Sequence, residues 1–277
     1  MKRLLEIEFI KLWNNRASKA LIISYFILLT SIALIAAVKF DIGPVKFHLA
    51  EQGIFNFPYI WHFNTFITAF FKLFLAIVIV SMMANEYSNK TIKQNLIDGL
   101  SKKEFVLSKF LTVISFSLVS TIFVFLVSLI LGLVYSDYNE VSIIFSELEY
   151  LFAFFIKLVG FFSFCLFLGI LVKRSAFALG FLILWAIFEN LGIRFLVWGL
   201  MGKEASEKVL DFLPLESMSN LLKEPFSRLG AVQTVASQIG EKFNMDYVVH
   251  WYEILIVLFW TACFIYGSYA LLKKRDL

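Results

Sequence analysis

The chain has 277 residues, 60% of them hydrophobic and only 17% charged, with 25 basic against 21 acidic side chains and a formal net charge of +4. A single soluble core cannot hide that much apolar surface, so an ordinary water-soluble domain is excluded and an all-α integral membrane protein is expected. The basic residues sit in short clusters beside apolar runs, which argues against a nucleic-acid-binding surface.

Residues 1–16 come first and place Leu5, Phe9, Leu12 and Trp13 on one helical face, with Arg3, Lys11 and Asn14 roughly opposite and Ile7 breaking the pattern. An amphipathic helix along the inner membrane surface is expected, with a plain extension of the first span as the alternative. No cleavable leader is expected, because residues 1–19 are charged and lack a small-residue cleavage site.

A bilayer core of about 30 Å needs about 20 apolar residues of helix. Six runs of that order follow: residues 20–38, 60–84, 110–135, 150–172, 176–200 and 251–272. Cys165 and Cys263 each fall inside a run, so no disulfide framework is implied.

Basic residues favour cytoplasmic flanks. With the N-terminus inside, the inner set holds Lys2, Arg3, Lys11, Arg16 and Lys19, then Lys90, Lys93, Lys102, Lys103 and Lys109, then Lys173 and Arg174, then Lys273, Lys274 and Arg275. The loop after the third run carries only acids, Asp137, Glu140, Glu147 and Glu149. Both termini are therefore expected in the cytoplasm. The segment 201–250 is the longest that does not span, and its prolines Pro214 and Pro225 divide it into short outer helices that rest on or dip into the membrane.

The most informative stretch is polar, residues 86–109, reading EYSNKTIKQNLIDGLSKKEFVLSK between two spans. Asn89 is an N-cap candidate, residues 91–98 form a short helix with Ile92, Leu96 and Ile97 available to bury, and Gly99 stops it. Ser101 and Glu104 have capping-box spacing, so the third span is entered already helical. A capped, lysine-flanked helix between two spans offers an apolar ridge with basic edges to a cytoplasmic partner. The alternative is a solvated connector kept positive to fix topology.

This stretch resembles the signature of type-2 ABC (ATP-binding cassette) transporter permeases. There, a glutamate ends the second span, a threonine-containing short helix and a turn follow, and a lysine stands at the mouth of the third span. The matching positions are Glu86, Thr91, Leu96, Ser101, Lys102 and Lys109. Lys90 stands where a glycine is usual, and Gly99 where a proline is usual. EFIKLWNNR, residues 8–16, is similar to the family's membrane-surface helix, and FLPL, residues 212–215, to the segment before its last span. The resemblance covers the full six-span order as one permease domain over residues 1–277. It implies pairing with a second copy or a related permease, and binding to two cytosolic ABC ATPase subunits. The ATPase-coupling residues would be Glu86, Thr91, Ile92, Leu96, Ile97 and Lys102.

No G-x-x-x-x-G-K-[ST] phosphate loop occurs in the chain, so ATP and Mg are expected on a partner subunit, and no cofactor on this one. Lys72, Lys157, Glu189 and Arg194 fall inside expected spans, where an ionised group is costly unless paired or wetted. Counted from the outer ends at about 1.5 Å per residue, Lys72 and Glu189 lie at matching depths. They are the expected ion pair between the second and fifth spans. Lys157 and Arg194 lie about a turn nearer the outside, and lining of a substrate route is the alternative role for all four. His48, His62 and His250 fit no compact metal motif, and Trp61 and Trp251 beside two of them suggest interfacial belt positions. No G-x-S-x-G or H-E-x-x-H occurs. The sequence is read as the membrane subunit of an ATP-driven exporter of apolar or amphipathic cargo in a prokaryotic cytoplasmic membrane. A membrane-embedded lipid-modifying enzyme and a passive channel are the alternatives.

Overall fold

The computed structural model of the protein describes residues 2–37, 40–42, 45–47, 53–229, 232–233, 237 and 246–275. Helix α1 (Lys2–Asn14) is followed by α2 (Arg16–Ala37), and Asn15 makes the corner. Its Oδ1 accepts from the backbone N–H groups of Ala17 and Ser18 at 3.0 and 3.1 Å, which caps α2 and lets the chain change direction. A short antiparallel hairpin, β1 (Phe40–Ile42) and β2 (Val45–Phe47), follows with Phe40 opposite Phe47. The composition pointed to helices alone, and six residues are too short a signal to read as strands.

The second expected span is not continuous. It is α3 (Tyr59–Ala69) and α4 (Lys72–Ser88), bent by 46°. Neither proline nor glycine stands at the break. Instead the Thr65 hydroxyl bonds back to the Trp61 and His62 carbonyls, and that of Thr68 to Asn64 and Thr65. Back-bonding of this kind competes with the helix ladder and bends it, and Phe70, Phe71 and Phe74 close tighter turns to Ile67, Thr68 and Phe71.

Then come α5 (Thr91–Ile97), α6 (Lys102–Tyr135), α7 (Val141–Ile144), α8 (Glu149–Val172) and α9 (Ser175–Ile187), a π segment (Phe188–Ile193), and α10 (Arg194–Met201), α11 (Lys203–Leu210), α12 (Pro214–Asn220) and α13 (Trp251–Lys274). Helix α6 is about 51 Å long at 1.5 Å per residue, so its first turns extend past a hydrocarbon core.

Among the described residues four stretches are long and apolar enough to cross a membrane, Lys102–Tyr135, Val141–Val172, Ser175–Met201 and Trp251–Lys274, and the bent pair makes a fifth. The protein is built as a multi-pass helical membrane protein. The remaining expected run, residues 20–38, falls on α2 and on Val38, which lies outside the described residues.

Helix α8 is the hub, packing against α3, α4, α6, α9 and α13. Small residues let the neighbours approach. A Cβ at Gly160 would stand 2.8 Å from Val257 Cγ1 on α13, and one at Gly169 would stand 2.9 Å from Met83 Cβ on α4. Helix α9 by contrast sits at the edge of the bundle and leaves Phe177, Ile183, Leu184 and Ile187 exposed.

Candidate functional site

The site with the densest chemistry lies at the end of the bundle that carries the basic clusters, where α1, α4, α5 and α6 meet. Glu8 is buried on the inner face of α1, between Leu5 and Leu12. Glu86 is buried in the last turn of α4, and Lys109 on α6 is 0% exposed. The Lys109 ammonium lies 2.5 Å from Glu8 Oε2 and 2.6 Å from Glu86 Oε1. Lys11 Nζ adds a 2.9 Å bond to the same Glu86 oxygen and stands 3.8 Å from Glu8. The remaining Glu86 oxygen accepts from the Thr91 hydroxyl at the start of α5. Two ammonium groups thus face two carboxylates, and a buried charge set is tolerable only when it is balanced and hydrogen-bonded in this way. Burial pulls the half-buried Lys11 down, but the Glu86 hydrogen bond and the charges of Glu8 and Glu86 outweigh it and leave its pKa above the usual lysine value. Beside the knot lies a cleft of about 330 Å³, lined in part by Asn14, Asn15, Asn85 and Asn89.

Helix α5 is held by backbone geometry at both ends. Its N-cap is Lys90, not Asn89, and Lys90 adopts a left-handed φ of 55°. At the other end the Gly99 N–H bonds to the Leu96 carbonyl and the Leu100 N–H to the Asn95 carbonyl. Gly99 has φ 97°, which makes this a Schellman stop of the kind expected from the sequence. The capping box at Ser101 and Glu104 is present and starts α6. Ile92 is 2% exposed and belongs to the protein's own core, and Leu96 packs partly against it. Neither is free to meet a partner as a bare ridge. Ile97 is 75% exposed, with Lys93, Gln94 and Asp98 exposed around it. Lys102 turns the other way and bonds the Lys273 and Arg275 carbonyls at 3.3 and 2.9 Å, where a cation complements the C-terminus of α13.

Residues 21–277 match the family described as "Protein of unknown function (DUF2705)". The chain belongs to that family. No curated protein matches it. The match includes Glu86, Thr91 and Lys109 but begins after Glu8 and Lys11.

The intramembrane charges are arranged differently from the sequence expectation. Glu189 does not face Lys72. One of its oxygens accepts from the Leu215 and Glu216 N–H groups, both at 2.7 Å, and the other from Trp185 Nε1 at 2.9 Å. Pro214 opens α12 without a donor and the Ser217 N–H bonds to the Leu213 carbonyl. Glu189 therefore satisfies the donors that the start of α12 leaves open. Equal depth in two spans does not pair Lys72 with Glu189, because the outer segment folds back and brings its own donors to Glu189. The π segment that carries Glu189 interrupts the regular spacing assumed in counting depth. Arg194 pairs with Glu216 at 2.6 Å. Lys157 donates to the Ser219 carbonyl at 3.2 Å, and the Lys72 ammonium stands 4.4 Å from the centre of the Phe161 ring.

At the opposite end of the bundle, Arg228 makes 3.2 Å contacts to both Glu147 oxygens, to the Tyr150 hydroxyl and to His62 Nδ1. Burial works against the guanidinium charge, yet the Glu147 hydrogen bonds and charge keep its pKa above the ordinary arginine value. His62 Nε2 lies 2.9 Å from the Lys223 carbonyl, which can only accept, so Nε2 carries the proton and Nδ1 takes the Arg228 bond as a neutral ring. His62 is 0% exposed and stacked on Tyr150. Trp61 is buried too, donating to the Ile144 carbonyl. These two are core residues and not a membrane belt, while Trp251 is exposed as a belt residue would be. Among the described residues no group of three His, Cys, Asp or Glu side chains suits a metal; His48 lies outside them.

Sequence reasoning missed Glu8 and Lys11 as members of the charge knot. The signal available was an acid on the apolar face of α1 with a base three residues on. For Arg228 and Glu147 no local signal exists, because they are 81 positions apart.

Proposed function

We propose that the chain is the transmembrane subunit of an ATP-driven exporter, with the knot end in the cytoplasm and α5 as the element that receives the push of a partner ATPase. The observation that carries this reading is the buried Glu8–Lys109–Glu86–Thr91 connection. It ties the surface helix α1, the end of α4, the start of α5 and the mouth of α6 into one unit beneath the exposed Ile97 edge. A displacement of α5 would reach two spans and the surface helix together. With α2 counted as a crossing, the layout is the six-span one, and both ends lie on the cytoplasmic side as the basic clusters require. ATP and Mg would be held by the partner. The exposed apolar side of α9 would face lipid or a second permease copy. Coupling requires different contacts in two states, since a partner that docks equally to both moves nothing.

The test is co-expression with the cytosolic ATP-binding cassette ATPases of the same cell. Ile97→Asp combined with Lys93→Glu should lower co-purification by roughly tenfold or more while membrane insertion is unchanged, because an exposed anchor and its basic edge are lost. Undiminished association and ATPase stimulation would return α5 to the role of a connector.

A further inference from the structure

Lys72 and Lys157 line a cavity of about 650 Å³ formed by the break between α3 and α4, the middle of α8, α9 with its π segment, and α12. That volume is within the range of about 300–1,000 Å³ typical of small-molecule sites. Among the described residues neither lysine has a carboxylate within ion-pair distance. Lys157, 4% exposed, has the Ser219 carbonyl, and Lys72 has the face of Phe161. The acid on the wall, Glu216, is matched by Arg194, and Glu189 is spent on the start of α12. The cavity therefore carries two lysine side chains without a carboxylate partner at membrane depth, where ionisable groups are expensive and mark a functional site. Apart from Asn190 and Ser219 its remaining wall is apolar, with Phe66, Phe161 and Leu182, and the exposed Phe70, Leu73 and Ile187 lie at its edge. These exposed residues belong to the bent pair and to the stretch Ser175–Met201, both long and apolar enough to cross a membrane.

We propose that this cavity holds an anionic membrane lipid, with its phosphate between Lys72 and Lys157 and an acyl chain along the phenylalanine and leucine wall. The proposal rests on the chain being membrane-embedded and not on the exporter reading. A zwitterionic lipid brings its phosphate with a cation attached and so supplies no net counter-charge for the two lysines, and a water-soluble anion would leave the apolar wall unfilled. The cavity takes an amphipath with one negative head.

The test uses the detergent-purified full chain and native mass spectrometry with dioleoylphosphatidylglycerol, dioleoylphosphatidylcholine and inorganic phosphate as separate probes. Phosphatidylglycerol should bind at least roughly tenfold more tightly than phosphatidylcholine, as expected for charge-assisted contacts. Lys72→Met with Lys157→Met should bring that ratio close to one, and inorganic phosphate should not compete at equal concentration. Ala186→Phe fills the cavity and keeps both lysines; it should weaken phosphatidylglycerol binding, and it carries the test if the double variant does not fold. A phosphatidylglycerol preference that survives the double variant, unchanged binding in Ala186→Phe, or displacement of the lipid by inorganic phosphate would each overturn the proposal.

Discussion

At the scale of single residues, Lys109 is the position on which the most depends. Its ammonium has no exposure to water and two carboxylates within 2.6 Å, whereas Lys11, the other cation of the knot, has a side chain 40% exposed and can fall back on solvent. Removing one partner from a buried charge set leaves uncompensated charge, at a cost of about 3–5 kcal/mol. Lys109→Met should therefore lower the thermal midpoint of the purified protein well beyond what the lost methylene packing explains. Adding Glu8→Gln should recover part of the loss, because the surplus negative charge is reduced. Thermal unfolding of the single and double variants checks this, and simple additivity would mean that the two side chains do not act as a pair. Glu86 serves three elements at once, one oxygen for the ammonium groups of α1 and α6 and the other for Thr91 of α5. A glutamine there would keep one acceptor but lose the charge that balances the set.

At the scale of elements, α5 shows why the sequence was readable at some positions and opaque at others. Gly99 and the Ser101 and Glu104 box are local signals, and local backbone chemistry decides them, so both were legible. The burial of Ile92 was not, since it depends on how α5 folds back against α4 and the rest of the core. The bend in the second span escaped for a related reason: threonine back-bonding leaves no proline or glycine to read. The pairing of Glu189 with α12 required knowing where an outer segment folds. Lys90 is the instructive case, because the resemblance to type-2 permeases marks it as a glycine position and the backbone there is left-handed. A non-glycine residue with φ near 55° costs about 1 kcal/mol or more relative to one without a Cβ. Lys90→Gly should accordingly stabilise the turn by about 1 kcal/mol, seen as a higher thermal midpoint with unchanged helicity. A lower midpoint would mean that the lysine side chain contributes more than its strained backbone costs. Gly99 cannot move the other way, since proline is locked near φ −65° and this position needs φ 97°.

At the scale of the whole molecule, the helices impose a parity that is independent of any function. Between Lys93 on α5 and Glu207 on α11 the chain runs through three stretches long enough to cross a membrane, Lys102–Tyr135, Val141–Val172 and Ser175–Met201. An odd number of crossings puts the two positions on opposite faces. Under the proposed orientation the Lys93 side is the cytoplasmic one, because it has Lys102, Lys103, Lys173, Arg174, Lys273, Lys274 and Arg275 beside it and such clusters favour the cytoplasmic flank. After Cys165 and Cys263 are replaced, Lys93→Cys should react with a membrane-impermeant maleimide only in opened cells or inverted vesicles, and Glu207→Cys in intact cells. Both residues are exposed in the fold, so failure to label is not explained by burial. Labelling of both from one side would contradict the crossing count itself. Opposite but reversed access would leave the fold intact and turn α5 away from the cytosol. No ATPase there could then push it, and the exporter reading would fall while the lipid cavity, which depends only on membrane depth, would stand.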